Sequence, residues 1–135
     1  MTKQKVEQLE KRIEILLDWK DRLTELVGDS LSPYEKWCIE KELSREDQHF
    51  ITNLCLLFSI QLHPDQEHPD VQKVKHNVMT LFDIKEIEMN FLCFEQFISD
   101  YQLKENPIFS WDARELLEKL NESGRSVQLK EVLLN

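Results

Sequence analysis

The stretch that decides the fold is Phe50–Leu62, with the sequence FITNLCLLFSIQL. Its apolar residues are not confined to one stripe, as they are in a surface helix. They are Phe50, Ile51, Leu54, Cys55, Leu56, Leu57, Phe58, Ile60 and Leu62. A helix that is apolar nearly all round is normally enclosed by other elements, and this stretch would span only about 20 Å, less than the hydrocarbon core of a bilayer. We therefore predict a central core helix around which the other segments pack.

The composition predicts an all-helical chain. The 135 residues fit a single domain, 1–135, because domains most often contain about 100 to 150 residues. Only two residues are Gly, while Leu, Glu, Lys and Gln are abundant, and this balance favours helices. No segment alternates apolar and polar residues as a half-buried strand does. We expect an all-α fold: a single-domain multihelical bundle of six or seven helices with a long amphipathic N-terminal helix.

The charge and the cysteines narrow the classes of function. The net charge is −9 and no run of basic residues occurs, which argues against nucleic-acid binding because phosphate backbones need clustered Lys and Arg. Cys38, Cys55 and Cys93 are widely spaced among apolar neighbours, without a CxxC motif, and are interpreted as buried free thiols in a reducing compartment. No apolar leader segment or membrane-length apolar run is present. We expect a cytoplasmic, acidic protein that binds no membrane and needs no cofactor.

Residues 3–27 form the clearest amphipathic helix, because their apolar positions follow the a/d spacing of a coiled coil. We call these positions the seam: Val6, Leu9, Ile13, Leu16, Lys20, Leu23 and Val27. The residues that flank the seam are charged in the first half of the helix and apolar in the second half, at Leu17, Trp19 and Leu26.

A narrow apolar stripe suits pairing with one other helix, while a wide one suits a globular core. The first half of the seam is therefore predicted to pair with a partner, most simply another copy, and the second half to dock on its own domain. The predicted interface residues are Val6, Leu9, Ile13, Leu16 and Lys20. The alternative is a plain amphipathic helix packed within one chain. Gly28 is placed to end the helix.

Capping sequences divide the rest of the chain into helices. Ser or Asp at the first position, with an acidic residue three positions later, is typical of a helix N-terminus. The predicted capping segments are Ser32–Glu35, Ser44–Asp47 and Asp83–Glu86, with single caps at Ser110 and Ser126. Pro64 and Pro107 are predicted to end the helices before them, and Gly124 to end the helix that Ser110 begins.

Two apolar patterns follow Pro69 and leave one boundary open. Val71, Val74, Val78, Leu81 and Phe82 have helical spacing. A second pattern, over residues 84–103, begins at the predicted Asp83 cap and is rich in Phe. The sequence leaves open whether the segments 71–82 and 84–103 form one helix or two.

The segment His63–Asp70 contains the tripeptide His-Pro-Asp twice. His63, Asp65 and His68 are candidate ligands for Zn²⁺ or a similar cation, since imidazole and carboxylate are common zinc ligands. The other interpretation is a loop in which each Pro ends or begins a helix and each Asp favours a turn. The tripeptide also resembles that of J-domain co-chaperones, but Phe50–Leu62 before it has no Lys or Arg to engage an acidic chaperone surface.

No arrangement of residues predicts catalysis. The sequence contains no GxSxG motif and no Gly-rich phosphate loop, so we expect no catalytic site and leave an enzyme as the minor possibility. Phe91, Phe94, Phe97 and Tyr101 could line an apolar pocket, although this spacing is more typical of a core. Trp19, Trp37 and Trp111 lie beside charged residues, and one of them is expected at a contact between subunits, where Trp is enriched.

The whole arrangement resembles the YhaI-like proteins, a family of small helical cytosolic proteins of Bacillus and relatives with no assigned function. The resemblance covers nearly the whole chain and rests on its length, the heptad-like first helix, FITNLCLLFSIQL, FLCFEQFISDY and FSWDARELLEKL. It implies an all-helical, oligomeric protein and brings no catalytic residues.

From these observations we expect a cytosolic homo-oligomer that serves as a structural or protein-interaction module. The alternative function is metal or small-ligand binding by the His63–Asp70 loop.

Overall fold

The computed structural model describes residues 2–62, 69–82, 87–105 and 111–134. Within these ranges the chain forms seven α-helices and one 3₁₀ turn, and no strand. The helices are α1 (Lys3–Val27), α2 (Pro33–Glu40), α3 (Arg45–Leu62), α4 (Pro69–Leu81), α5 (Phe91–Glu105), α6 (Ala113–Glu122) and α7 (Val127–Leu134), with the 3₁₀ turn at Gly28–Ser30 between α1 and α2. The predicted all-α, multihelical fold with a long N-terminal helix is confirmed.

Helix α3 lies at the centre of the core, as its apolar composition predicts. It packs against α4, α5 and α7, while α6 packs against α2, α5 and α7. Its inward residues are among the least exposed in the chain: Ile51, Leu54, Leu57 and Phe58. Burying such side chains stabilises the fold by about 1.5 to 3 kcal/mol each, so α3 makes a large contribution to the stability of the core.

The aromatic residues of α5 belong to this core. Phe94 is fully buried, and Phe91, Phe97 and Tyr101 are partly buried against the same cluster. Phe58 of α3 meets Phe94 edge to face, with ring centroids 5.2 Å apart, a favoured aromatic geometry. The core interpretation of these aromatic residues is therefore the correct one.

Two of the predicted helix starts are confirmed in atomic detail. The Ser32 hydroxyl oxygen accepts a hydrogen bond from the backbone N–H of Glu35 at 3.2 Å, and Pro33 occupies the first turn of α2. At α3, the Ser44 hydroxyl accepts from the N–H of Asp47 at 3.0 Å, while the Asp47 carboxylate accepts from the N–H of Ser44 at 2.9 Å. Both caps satisfy N–H groups that have no partner inside the helix. The Ser44–Asp47 pair is a full capping box, whereas the Glu35 carboxylate accepts from the Ser32 hydroxyl instead of from its backbone N–H.

Other predicted boundaries are wrong or lie outside the described residues. Helix α6 is capped by Asp112, whose carboxylate accepts from the N–H of Glu115 at 3.0 Å, and not by Ser110. The segments 71–82 and 84–103 are not one helix, because residues 87–90 are not helical and Asn90 caps α5. The predicted Asp83–Glu86 cap lies outside the described residues, as does Ser110.

The two glycines differ in their conformation. Gly28 follows α1 with right-handed backbone angles (φ −50°) and leads into the 3₁₀ turn, so the end of α1 does not use the conformational freedom of glycine. Gly124 has φ +74° after α6, the left-handed conformation typical of helix C-termini. There the N–H of Arg125 reaches back to the Leu120 carbonyl at 2.8 Å.

Asp47 is a buried carboxylate in the first turn of α3, with 1% of its surface exposed. One carboxylate oxygen caps its own helix, and the other accepts a hydrogen bond from the Tyr101 hydroxyl of α5 at 2.7 Å. The Tyr101 ring stacks on Phe50, with centroids 4.0 Å apart. Burial, followed by the hydrogen bond to Asp47, raises the pKa of Tyr101, so this hydroxyl stays protonated and donates. The pair ties the start of α3 to α5.

A second polar link joins α2 to α6. The indole N–H of the buried Trp37 donates to the carboxylate of Glu115, and the Lys41 ammonium lies 3.8 Å from the same carboxylate. A buried indole needs a hydrogen-bond acceptor, and Glu115 provides it from the first turn of α6, where a negative charge is also favourable.

Replacing Tyr101 by Phe tests the Asp47 link. The variant Tyr101→Phe keeps the stacked ring but leaves a buried carboxylate oxygen without its donor, so the free energy of unfolding should fall by about 1 to 3 kcal/mol. Urea unfolding followed by circular dichroism measures this. The control is Gln96→Ala, which removes an exposed hydrogen bond to Asp100 on the same helix and should change stability by less than about 0.5 kcal/mol. Equal effects of both variants would contradict the assignment.

Two leucines of α3 test its central position. Leu54 is 0% exposed and Leu56 is 37% exposed. We expect Leu54→Ala to lower the free energy of unfolding by about 2 to 5 kcal/mol, because it leaves a cavity in the core. Leu56→Ala should cost less than about 1 kcal/mol, and a loss at Leu56 as large as that at Leu54 would show that α3 is packed differently.

Candidate self-association surface on the first helix

Helix α1 has no buried residue over its whole length. It begins at Thr2, whose hydroxyl accepts from the N–H of Lys5 at 3.2 Å, and a 25-residue helix extends for about 37 Å. The element it packs on most is the 3₁₀ turn directly after it. Helix α1 is therefore held mainly through its C-terminal end, while the core of the protein is formed without it.

The seam of α1 is exposed. All of its apolar members are at least 39% exposed: Val6, Leu9, Ile13, Leu16, Leu23 and Val27. Single exposed apolar residues are ordinary on protein surfaces. An ordered row of them along one face of a helix is not, and such patches usually mark an interaction surface.

The second half of α1, predicted to dock on its own domain, lies beside α2, but its flanking apolar residues take no part in the core. Leu17, Trp19 and Leu26 are all exposed. Three open grooves of about 490, 500 and 380 Å³ lie between this half and α2, with Lys20 or Thr24 on one side and Lys36 or Ile39 on the other. The core cluster takes its residues from the other helices, so the wide apolar stripe of α1 faces solvent in the single chain.

Lys20, the polar member of the seam, has a partner from the body of the protein. Its ammonium lies 4.0 Å from the carboxylate of Glu42, and both side chains are partly exposed. Glu42 follows α2 with φ +57°, a left-handed conformation that costs a non-glycine residue about 1 to 2 kcal/mol. This turn places a carboxylate beside the one seam position that carries a charge. No local sequence pattern predicts this contact, because it depends on where the turn after α2 lies relative to α1.

The face of α1 opposite the seam is polar and paired along the helix. Lys11 lies 3.9 Å from Glu14, and Arg22 lies 3.0 Å from Asp18. Exposed pairs of this kind contribute at most about 0.5 kcal/mol each. The paired charges of α1 thus lie on one face of the helix, and the seam lies on the opposite face.

Of the three tryptophans, Trp19 is the one on this surface. It is 49% exposed, while Trp37 and Trp111 belong to the core. Arg22 lies over the Trp19 ring, 5.2 Å from its centroid, within the range of a cation–π contact. Trp37 and Trp111 therefore cannot mark a contact between subunits in the folded chain.

The cysteines differ in accessibility. Cys38 and Cys55 are buried free thiols, as predicted, whereas Cys93 is only half-buried. Burial raises the pKa of Cys38, and it raises the pKa of Cys55 from 9.0 to about 12. A thiol with a raised pKa is a weak nucleophile near neutral pH, so neither buried cysteine is suited to catalysis.

The predicted metal ligands His63, Asp65 and His68 lie outside the described residues. Among the residues that are described, no group of three or more His, Cys, Asp or Glu is placed to hold a metal ion. In the same residues, no helix combines the length and apolar character needed to cross a membrane.

The chain matches no protein-family model, no curated protein and no solved structure. The resemblance to the YhaI-like proteins therefore stays a prediction, and the surface of α1 has to be interpreted from its own residues.

Thiol reactivity tests the burial of the cysteines. In the folded protein at pH 8, Cys93 should react with a chromogenic disulfide reagent within minutes, and Cys38 and Cys55 only after unfolding. Burial keeps the Cys55 thiol protonated in the folded protein up to about pH 12, whereas its ordinary pKa is 9.0. The buried thiol therefore stabilises the fold fully below pH 9, and this contribution is lost as the pH rises from 9 towards 12. The variant Cys93→Ser should show no fast reaction; a fast phase in that variant would contradict the burial of the other two.

Proposed function

We propose that this protein is a self-associating structural or protein-interaction module of the cytoplasm. Helix α1 binds other copies of the chain through its seam, and helices α2 to α7 form the bodies that this association brings together. The observation that carries the proposal is the exposure of the entire apolar seam on a helix that the core does not need.

The charge of α1 supports a second copy as the partner. Residues 3–27 contain six basic and six acidic residues, so the whole net charge of −9 lies outside this helix. Copies of an acidic protein repel one another at long range. Because α1 has no net charge, two α1 helices do not add to this repulsion. A neutral helix also has no electrostatic attraction to an anionic membrane or to nucleic acid.

The amount of apolar surface is sufficient for a stable contact. Burying a fully exposed apolar side chain contributes about 1.5 to 3 kcal/mol. The six apolar seam side chains of each copy are 39% to 64% exposed, so about half of that gain remains for each of the twelve in a pair, roughly 9 to 18 kcal/mol in total. Association has to overcome a loss of translational and rotational freedom of about 4 to 15 kcal/mol. Two seams together are able to do so, whereas a few scattered residues would not be.

Two isoleucines on opposite faces of α1 test the proposal. Ile13 lies in the seam and is 54% exposed, while Ile15 lies on the other face and is 46% exposed. We expect Ile13→Asp to weaken self-association by at least about 100-fold, since a carboxylate would be buried in both copies. Sedimentation velocity at several concentrations measures the dissociation constant.

The matched control is Ile15→Asp, which makes the same chemical change at a similar exposure and should leave the dissociation constant nearly unchanged. Circular dichroism should show that both variants stay folded, because neither residue belongs to the core. Equal dissociation constants for the two variants, or a monomeric natural protein at all concentrations, would contradict the proposal.

A further inference from the structure

We infer that α1 pairs parallel and in register with α1 of a second copy, so that each seam residue meets its own equivalent. This inference rests on the proposed self-association and adds the orientation of the partner. It follows from the distribution of residue types along the exposed helix, taken together with the Lys20–Glu42 contact.

The branching of the seam residues matches that of parallel dimers. In heptad notation, three of the four a positions carry the β-branched residues Val6, Ile13 and Val27, and the fourth carries Lys20. The d positions are all Leu. Among parallel coiled coils, Ile or Val at a with Leu at d is the combination that favours two strands. One polar a position, such as Lys20, is a known device for fixing the register of such a pair.

The residues beside the seam agree with this orientation. In a parallel pair, position g of one helix lies next to position e of the following heptad on its partner. Lys5 (g) therefore meets Glu10 (e) of the second copy, a pair of opposite charge that forms twice. Both side chains are exposed in the single chain and available for this contact.

The two halves of α1 also differ in a way that a parallel, in-register pair matches better than an antiparallel one. The first half is flanked by Lys5, Glu10 and Arg12, and the second half by exposed Leu17, Trp19 and Leu26. In the parallel arrangement the charged half lies beside the charged half and the apolar half beside the apolar half, with one mixed pair where they join, Arg12 (g) next to Leu17 (e) of the second copy. An antiparallel arrangement would place charged flanks against apolar ones.

Lys20 fits the same arrangement. In register, it lies across from Lys20 of the second copy, and each ammonium keeps Glu42 of its own chain as a counter-ion at 4.0 Å. In an antiparallel pair, Lys20 would lie across from a seam leucine, which would have to accommodate a charged group. The Glu42 contact thus compensates the one charge that the parallel seam contains.

Distances between identical labels test the orientation. Gln4 and Asp18 occupy the same outward-facing heptad position and are both exposed. Gln4→Cys and Asp18→Cys, each in a Cys93→Ser background, are labelled with a nitroxide, and the distance between copies is measured by pulsed electron paramagnetic resonance. Cys93→Ser alone, which should take up no label, is the control.

A parallel pair predicts nearly equal distances at the two sites. An antiparallel pair predicts a distance at Gln4 that exceeds the one at Asp18 by about 10 Å or more, because the helix rises 1.5 Å per residue, and that result would overturn the inference while leaving self-association intact. An assembly without dipolar coupling at either site would overturn it as well. A monomer would overturn the proposed function together with it.

Charge reversal provides an independent measurement. Lys5→Glu and Glu10→Lys should each weaken association roughly tenfold, since two attractive pairs become repulsive, and the double variant should return to the natural affinity. The two residues do not face each other within one helix, being five positions apart, so restoration reports contact between copies. A double variant as weak as either single one would contradict the parallel register.

Discussion

The apolar surface of α3 is the constraint on which the rest of the structure depends. A helix that is apolar on nearly all sides has to be enclosed, and α4, α5 and α7 pack directly around it while α6 joins α2 to them. Asp47 fixes how α3 and α5 pack, because its carboxylate caps α3 and also accepts a hydrogen bond from the Tyr101 hydroxyl of α5. The core is completed by these helices, and α1 lies outside it.

The chain therefore carries apolar residues of two kinds. Those of α2 to α7 are used within one copy, and those of α1 are ordered along a face that one copy leaves open. The paired charges lie on the face opposite the seam, and the one seam residue that contacts the body of its own chain is the charged Lys20. A functional interpretation of the protein follows from that division, because a row of exposed Leu, Ile and Val is costly unless it is covered.

Local signals predicted much of this architecture, and contacts distant in sequence explain the errors. The caps at Ser32 and Ser44 were predictable because capping involves only the next three residues, and the burial of Phe50–Leu62 followed from its composition. The choice of Asp112 over Ser110 was not predictable, since both residues are good caps two positions apart. Docking of the second half of α1 was predicted from its apolar width, but width does not specify whether a helix is covered by its own chain or by another.

The molar mass of the natural protein in solution, measured by light scattering over a range of concentrations, tests the central claim most directly. The account predicts a mass near twice the 16.2 kDa of one chain that falls towards the single-chain value on dilution. A mass of 16.2 kDa at every concentration would contradict it and would leave the seam of α1 without its proposed partner.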